Sequence, residues 1–151
     1  MFDVVKDNVA LDAGKYGFTK LYSEKEVQKN IVLCENLAGA ATNRNKKTLI
    51  MLKELDFDLG SLKLLAEKKK ACLLFDISKI IMSKGLRRSI EMAKLRTTLK
   101  YCNKYGVFYA FASFAESELT IRNAHELIAI CWLFGLNSGQ AKFALEMVKH
   151  Y

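Results

Sequence analysis

The chain has 151 residues, a net charge of +8 and a hydrophobic fraction of 51%. This length suits a single domain, and this apolar fraction is typical of a folded globular protein. No apolar run approaches the roughly 18 residues that a membrane span needs. The first residues carry acids and no long apolar stretch, which argues against a secretory signal. We therefore expect one domain over 1–151, located in the cytoplasm and not bound to a membrane.

The cysteine and histidine content argues against a metal site. The chain has four cysteines and two histidines. They are Cys34, Cys72, Cys102, Cys131, His125 and His150. No pair has Cys-x-x-Cys spacing, and each cysteine lies in an apolar run, so we expect four buried, reduced thiols. The sequence therefore predicts no metal ligands.

Short apolar runs alternate with helical patterns along the chain. The runs predicted as strands cover 2–5, 17–22, 31–34, 48–52, 71–76 and 107–112. Strands that are apolar on both faces, alternating with helices, are typical of parallel sheets built from βαβ units. A complete eight-stranded barrel usually needs roughly 200 residues or more. We therefore expect an α/β fold, an abbreviated or incomplete TIM-like (β/α) barrel with parallel strands and outer helices. A partner subunit or a helix should cover its open edge.

Capping residues and glycines locate the predicted helices. Ser23 caps a helix from about residue 24, and Asp56 or Asp58 caps a helix over 59–68. Further helices are predicted over 86–104, which Gly106 ends, over 123–134, and over 138–149 with Ser138 as its cap.

The helix over 86–104 has two apolar stripes that lie nearly opposite each other. They consist of Leu86, Ile90, Ala93 and Tyr101, and of Met92, Leu95, Leu99 and Cys102. A helix layered on a sheet normally needs one such stripe. We expect the second to pack on a neighbouring helix or on another protein.

The positive charge is concentrated in the middle of the chain. Residues 42–70 carry eight basic and four acidic side chains, and residues 84–104 carry seven and one. Arginine and lysine engage a phosphate backbone, whereas the alternative interpretation is a solvated helix surface. No aromatic stacking platform stands out, which favours structured RNA recognised by its shape. The predicted contacts are Arg44, Lys46, Lys47, Lys84, Arg87, Arg88, Lys94, Arg96 and Lys100.

The order of short motifs between Ser83 and Leu136 resembles one known family. Lys84-Gly85-Leu86-Arg87-Arg88 opens the basic helix, Lys104-Tyr105-Gly106-Val107 ends it, Ala112-Ser113-Phe114-Ala115 follows the sixth strand, Glu118–Leu127 leads into a helix, and Phe134-Gly135-Leu136 closes it. This order is similar to that of ribonuclease P protein component 3, the archaeal counterpart of the thirty-kilodalton eukaryotic subunit. The resemblance extends over about 48–148, including Asp76-Ile77-Ser78 after the fifth strand. The sequence departs from the family at Phe114, where glycine is preferred, and at Asn123-Ala124-His125, where Ser-Pro-Arg is usual.

The resemblance implies a β/α barrel that binds the ribonuclease P RNA and pairs with a small α/β protein subunit. Precursor tRNA is contacted indirectly. In that particle the RNA cleaves the precursor tRNA with Mg²⁺ ions that it holds itself. The resemblance therefore implies that this chain is a non-catalytic subunit of an endoribonuclease, with no catalytic residue and no cofactor of its own. Arg122 should lie just past the carboxyl end of the sixth strand, where barrels keep functional groups. We add Arg122 to the predicted RNA contacts; the alternative is an ion pair with Glu116 or Glu118.

Two other functions are open from the sequence. A basic interaction module could bind DNA or another RNA outside ribonuclease P. A barrel phosphoesterase would need several His and Asp ligands to hold metals, and the sequence offers only two histidines.

Overall fold

The computed structural model describes residues 1–7 and 11–151. Its strands are β1 (Phe2–Val5), β2 (Lys20–Ser23), β3 (Ile31–Cys34), β4 (Leu49–Leu52), β5 (Cys72–Asp76) and β6 (Phe108–Ala112). Strand β1 pairs with β2, and β3, β4, β5 and β6 pair in that order. Every one of these pairings is parallel. The predicted strands and their common direction are therefore confirmed.

The two sheets join into one interrupted ring. A parallel bridge links Val5 to Ala115, just past β6, and the Lys6 backbone N–H donates to the Ala115 carbonyl at 2.9 Å. The neighbour order is therefore 2-1-6-5-4-3, which is the order around a six-stranded barrel with no pairing between β2 and β3 among the described residues. The predicted fold, an incomplete TIM-like barrel, is confirmed, and its gap lies at this seam.

Seven helices connect or follow the strands in the described part of the chain. They are α1 (Glu24–Gln28), α2 (Leu37–Thr42), α3 (Leu59–Lys68), α4 (Ile77–Met82), α5 (Gly85–Tyr105), α6 (Ala124–Leu133) and α7 (Ser138–Glu146). Ser23 and Asp58 accept capping hydrogen bonds from backbone N–H groups, as predicted. Gly106 ends α5 in the left-handed conformation, with φ of 74°. None of these helices is both long and apolar enough to span a membrane.

Two predicted elements have wrong boundaries. The second strand begins at Lys20, because Gly14–Tyr16 forms a 3-10 turn and Gly17 is left-handed behind it. The last helix is capped by Asn137, not Ser138, because Asn137 and Gln140 form a reciprocal capping box. It ends at Glu146, and Met147–His150 continues as a 3-10 turn.

Successive strand residues point to opposite faces of the sheet and belong to two hydrophobic clusters. One strand face carries Ile50, Leu73 and Phe111 and packs with the buried sides of α2, α3, α5, α6 and α7. The other face carries Leu49 and Leu74. No ring of helices covers this second face in the described chain. It packs against Val27 of α1 and against Met147 and Val148 of the C-terminal turn. The barrel interior is thus a packed core.

Asp3 is buried at the junction of β1 and β6. Its side chain is fully inaccessible, and it accepts hydrogen bonds from the Ser113 backbone N–H at 2.7 Å and from the Ser113 hydroxyl. Burial raises the pKa of Asp3 from 3.8 to about 6, although these hydrogen bonds and one from the Val4 N–H favour the charged form. Asp3 therefore links β1 to the end of β6 at an electrostatic cost near neutral pH.

The Asp3 carboxyl predicts a measurable pH dependence of stability. Because its folded pKa lies above the unfolded value, the folded state binds more protons, and this group's contribution falls as pH rises from about 4 to 6. Asp3→Asn keeps an acceptor for the Ser113 N–H and removes the titration. The free energy of unfolding of the wild type relative to Asp3→Asn should drop by roughly 2 kcal/mol over this range. Urea titrations at both pH values measure it; parallel pH profiles would contradict the assignment.

Phe114 occupies a backbone position that favours glycine. Its φ is 46°, in the left-handed region, and its ring is buried with 4% exposure in the cluster that includes Val4. The glycine preferred by the resembling family fits this backbone without strain. Here the chain keeps a side chain despite the strain, and the burial of the ring offsets it.

Two substitutions at Phe114 separate ring burial from backbone strain. Phe114→Ala removes the ring and should destabilise the fold by about 3–5 kcal/mol. Phe114→Gly removes the ring and the strain together, so it should be about 1 kcal/mol more stable than Phe114→Ala. Chemical denaturation of both variants measures the difference. An alanine variant at least as stable as the glycine variant would show that the backbone is not strained there.

Candidate nucleic-acid interface

The basic helix α5 is anchored by one of its two apolar stripes. Leu95, Leu99 and Cys102 are buried in the main core cluster. The other stripe stays largely in solvent, with Leu86 77% and Ile90 49% exposed. Every residue from Lys84 to Ile90 is exposed, so the first two turns of α5 lie at the surface and outside the core.

Two predicted cations on α5 are already paired with acids. The Arg87 Nε lies 3.0 Å from Glu91 Oε1, and the Lys94 Nζ lies 3.2 Å from Asp56 Oδ1. The pKa of Glu91 is lowered first by its hydrogen bond from the Ser83 hydroxyl and then by Arg87, so this carboxyl is held charged. The amino-terminal half of α5 therefore presents less uncompensated charge than the sequence count indicates.

Two predicted arginines bind the carboxyl ends of neighbouring helices. Arg88 donates to the carbonyls of Ile81 and Ser83 at 2.7 and 2.6 Å, at the end of α4. Arg96 donates from Nε to the carbonyl of Leu133 at 2.6 Å, at the end of α6. A cation at a helix carboxyl end satisfies free carbonyls and complements the helix dipole. These guanidinium groups help to hold the helices in place.

The remaining predicted contacts differ in their surroundings. Lys84 and Lys100 are exposed, and Arg122 is half-buried after the carboxyl end of β6. None of the three, Arg122 included, forms an ion pair with another residue in the described ranges. The Arg44 guanidinium donates to the Ala41 carbonyl at 3.1 Å, while its buried Nε lacks a hydrogen-bond partner there.

Unpaired cations gather where the chain enters β4, β5 and β6. The three connecting segments cover 43–48, 68–71 and 100–107 and contain no acidic residue. They supply Arg44, Lys46, Lys47, Lys68, Lys69, Lys70, Lys100 and Lys104, which we call the amino-end basic edge. All of these except Arg44 are exposed. Among the residues that the structure describes, none of the eight forms an ion pair.

The amino-end basic edge is contiguous because its strands are neighbours. β4, β5 and β6 pair side by side and run in the same direction, so the segments that lead into them leave one edge of the sheet together. The Lys69 ammonium lies beside Gly106, which brings the β5 and β6 segments into proximity. Eight cations on one edge form a surface that favours a polyanion.

The opposite edge of the sheet is balanced in charge. A cavity of about 300 Å³ lies between the carboxyl ends of β4 and β5 and the helices α4 and α5. Its charged lining consists of Lys53, Lys79, Arg87, Lys94, Glu54, Asp56, Asp76 and Glu91. Four cations face four anions, so this cavity offers a phosphate no net attraction. The functional face expected from barrel enzymes is therefore not the most basic face here.

Part of the amino-end basic edge was outside the predicted set. Lys68, Lys69, Lys70 and Lys104 were not among the predicted contacts. The signal was present, since Lys68-Lys69-Lys70 directly precedes an apolar strand. Charge counts along the sequence do not show which cations will pair with acids in the fold. Lys94 pairs with Asp56, whereas Lys104 forms no ion pair among the described residues.

Among the described residues, the thiols and the acidic groups form neither a site with a reactive cysteine nor a cluster of metal ligands. All four cysteines are buried and free, and burial raises the pKa of Cys102 and of Cys131 to about 12. Thiols held protonated in this way are poor nucleophiles. No three His, Cys, Asp or Glu side chains are grouped as metal ligands in the part of the chain that the structure describes.

Comparisons with known proteins agree with the sequence motifs. A curated protein named Ribonuclease P protein component 3, from Methanococcoides burtonii, is 35% identical over 81 residues. The match covers 54% of this chain and about a third (34%) of that relative's length. No protein-family model matches the chain.

The same fold occurs in a solved ribonucleoprotein. A chain in the cryo-EM structure of archaeal ribonuclease P with mature tRNA superposes with a TM-score of 0.68. The superposition covers 99% of this chain and 78% of that chain at 17% sequence identity, so it establishes the fold. The predicted resemblance is confirmed: the chain is similar in sequence to ribonuclease P protein component 3, and it has the fold of a chain in archaeal ribonuclease P.

Proposed function

We propose that this chain is a non-catalytic protein subunit of ribonuclease P that binds and stabilises the catalytic RNA during 5′ maturation of precursor tRNA. The observation that carries the proposal is the amino-end basic edge, with eight cations free of ion pairs among the described residues, on a relative of component 3. Phosphates bound there release condensed counterions, which provides affinity without base-specific contacts. Cleavage would belong to the RNA and its Mg²⁺ ions.

Protein partners fit two further features of the surface. Met82, Leu86 and Ile90 are 70%, 77% and 49% exposed where α4 meets α5. Several exposed apolar side chains in one place mark an interaction site more strongly than a single exposed residue does. The seam between β2 and β3 leaves two strand edges unpaired among the described residues. Another ribonuclease P protein, such as a small α/β subunit, would remove either surface from water.

Recovery of the native RNA tests the proposed assembly. A tagged copy of the chain, purified from its own cells, should co-purify ribonuclease P RNA well above other structured RNAs such as ribosomal RNA. Other ribonuclease P proteins should be recovered with it after nuclease treatment if they bind the chain directly. Recovery of ribosomal RNA or DNA instead would favour a basic interaction module and contradict the proposal.

A charge-matched pair of variants tests the binding surface. Changing Lys46, Lys47, Lys68 and Lys100 to Gln should weaken RNA affinity and reduce the dependence of log K on log salt by about 0.7–0.9 per lost phosphate contact. The control changes Lys25, Lys53, Arg87 and Lys94 to Gln, four cations that already pair with acids. Both variants lose the same net charge. Fluorescence anisotropy across a salt series should show the larger loss for the first variant, and equal losses would contradict a localised interface.

A further inference from the structure

Three aromatic rings form a row between α3 and α5. The ring centroids of Phe57 and Tyr101 are 4.9 Å apart, and those of Tyr101 and Tyr105 are 6.2 Å apart. The two tyrosine rings are nearly parallel, with an interplanar angle of 12°. Phe57 directly precedes the cap of α3, and the tyrosines lie one turn apart near the end of α5. The row therefore runs along the contact between these helices.

The aromatic row reaches the protein surface. Phe57 is 42% exposed, and both tyrosines are half-buried against the core. Neither tyrosine hydroxyl has a hydrogen-bond partner in the described ranges, and neither is a buried unpaired group. Their phenol ends therefore point to solvent. Rings used only for packing would be covered, as Phe111 is in the same cluster.

Cations surround one end of the aromatic row. The ammonium groups of Lys63 and Lys104 lie 5.6 and 5.5 Å from the centroid of the Tyr105 ring, and the Lys69 ammonium lies beside Gly106. None of these three lysines forms an ion pair within the described part of the chain. Two of them, Lys69 and Lys104, also belong to the amino-end basic edge. The row thus begins at the β4–α3 connection and ends within the most basic surface.

We propose that this aromatic row stacks unpaired bases of RNA, while Lys63, Lys69 and Lys104 bind the phosphates of the same strand. Aromatic rings between lysines suit a single strand because every base offers a π-face and every linkage a negative charge. A duplex hides its base faces and would engage the lysines alone. The inference rests on the RNA binding proposed above and adds a preference for unpaired segments such as loops or bulges.

Leucine variants of the aromatic row test the stacking. Tyr105→Leu and Phe57→Leu keep apolar volume but remove the π-face, so affinity for a short unstructured RNA should fall about 5- to 100-fold. Affinity for a blunt-ended, perfectly paired RNA duplex without a loop should change less than about twofold, since its base faces are already stacked. Trp132→Leu, an aromatic side chain 55% exposed on α6, is the matched control and should leave both affinities unchanged. Tyr105→Phe should bind like the wild type.

A fluorescent base distinguishes stacking from charge. 2-Aminopurine placed in the unstructured RNA should be quenched on binding to the wild type and not to Tyr105→Leu. Lys63→Gln with Lys104→Gln should instead make the salt dependence shallower while leaving the quenching of bound RNA intact. Equal losses of single-stranded and duplex binding in Tyr105→Leu, or quenching that survives it, would overturn the inference. Circular dichroism of each variant identifies any loss of fold.

Failure of this inference is distinguishable from failure of the proposed function. If the wild type recovers ribonuclease P RNA from cells and Tyr105→Leu binds unstructured RNA equally well, stacking is wrong and the subunit role stands. If Tyr105 controls single-strand binding but ribonuclease P RNA is not recovered, the aromatic row stacks bases and this chain binds an RNA other than that of ribonuclease P.

Discussion

The parallel hydrogen-bonded alignment of β4, β5 and β6 is the constraint on which the rest of the structure depends. Because the three strands run in one direction, each connecting helix must return to the same edge of the sheet before the next strand begins. That requirement brings the segments 43–48, 68–71 and 100–107 together, although they are far apart in sequence. It also sets α3 beside α5, so that Phe57 meets Tyr101. Charge and aromatic surface are thus both products of strand direction.

The junction between β1 and β6 makes the sheet curve into a ring. Asp3 joins the strands through Ser113, and the Val5–Ala115 bridge continues the contact by one pair. This junction carries two costs. The Asp3 carboxyl is buried, and Phe114, which lies between Ser113 and Ala115, has a left-handed backbone. A buried carboxyl that lost its hydrogen bonds would be strongly unfavourable, so these bonds favour the pairing of β1 with β6 over other strand arrangements. The ring therefore closes on this side, and the gap falls between β2 and β3, where α1 spans the connection with five residues.

Much of the fold was predictable from the sequence, and less of the interface was. Continuous apolar runs such as Ile31–Cys34 define strands directly, and Gly106 marks the end of α5 because its left-handed φ suits glycine. The short helices α2 and α4 were missed because six residues show little periodicity. The cations were found by counting, but their partners were not, since Lys94 meets Asp56 only after α5 packs beside the β4–α3 connection. Likewise the sequence places Tyr101 in an apolar stripe of the helix, but it does not show that Phe57, from a distant segment, packs against this ring beside Tyr105.

The separation of charge along the strand axis also bears on how the molecule would approach a polyanion such as RNA. One end of the barrel is positive where the chain enters β4, β5 and β6, while the other end has matched signs around its cavity. Such a charge distribution gives the protein a dipole, and a dipole in the field of a polyanion experiences a torque before any contact forms. If RNA is the ligand, the protein should therefore turn its amino-end basic edge toward it during approach. Fewer encounters are then wasted on wrong orientations, and this orienting advantage disappears as the Debye length shortens at high salt.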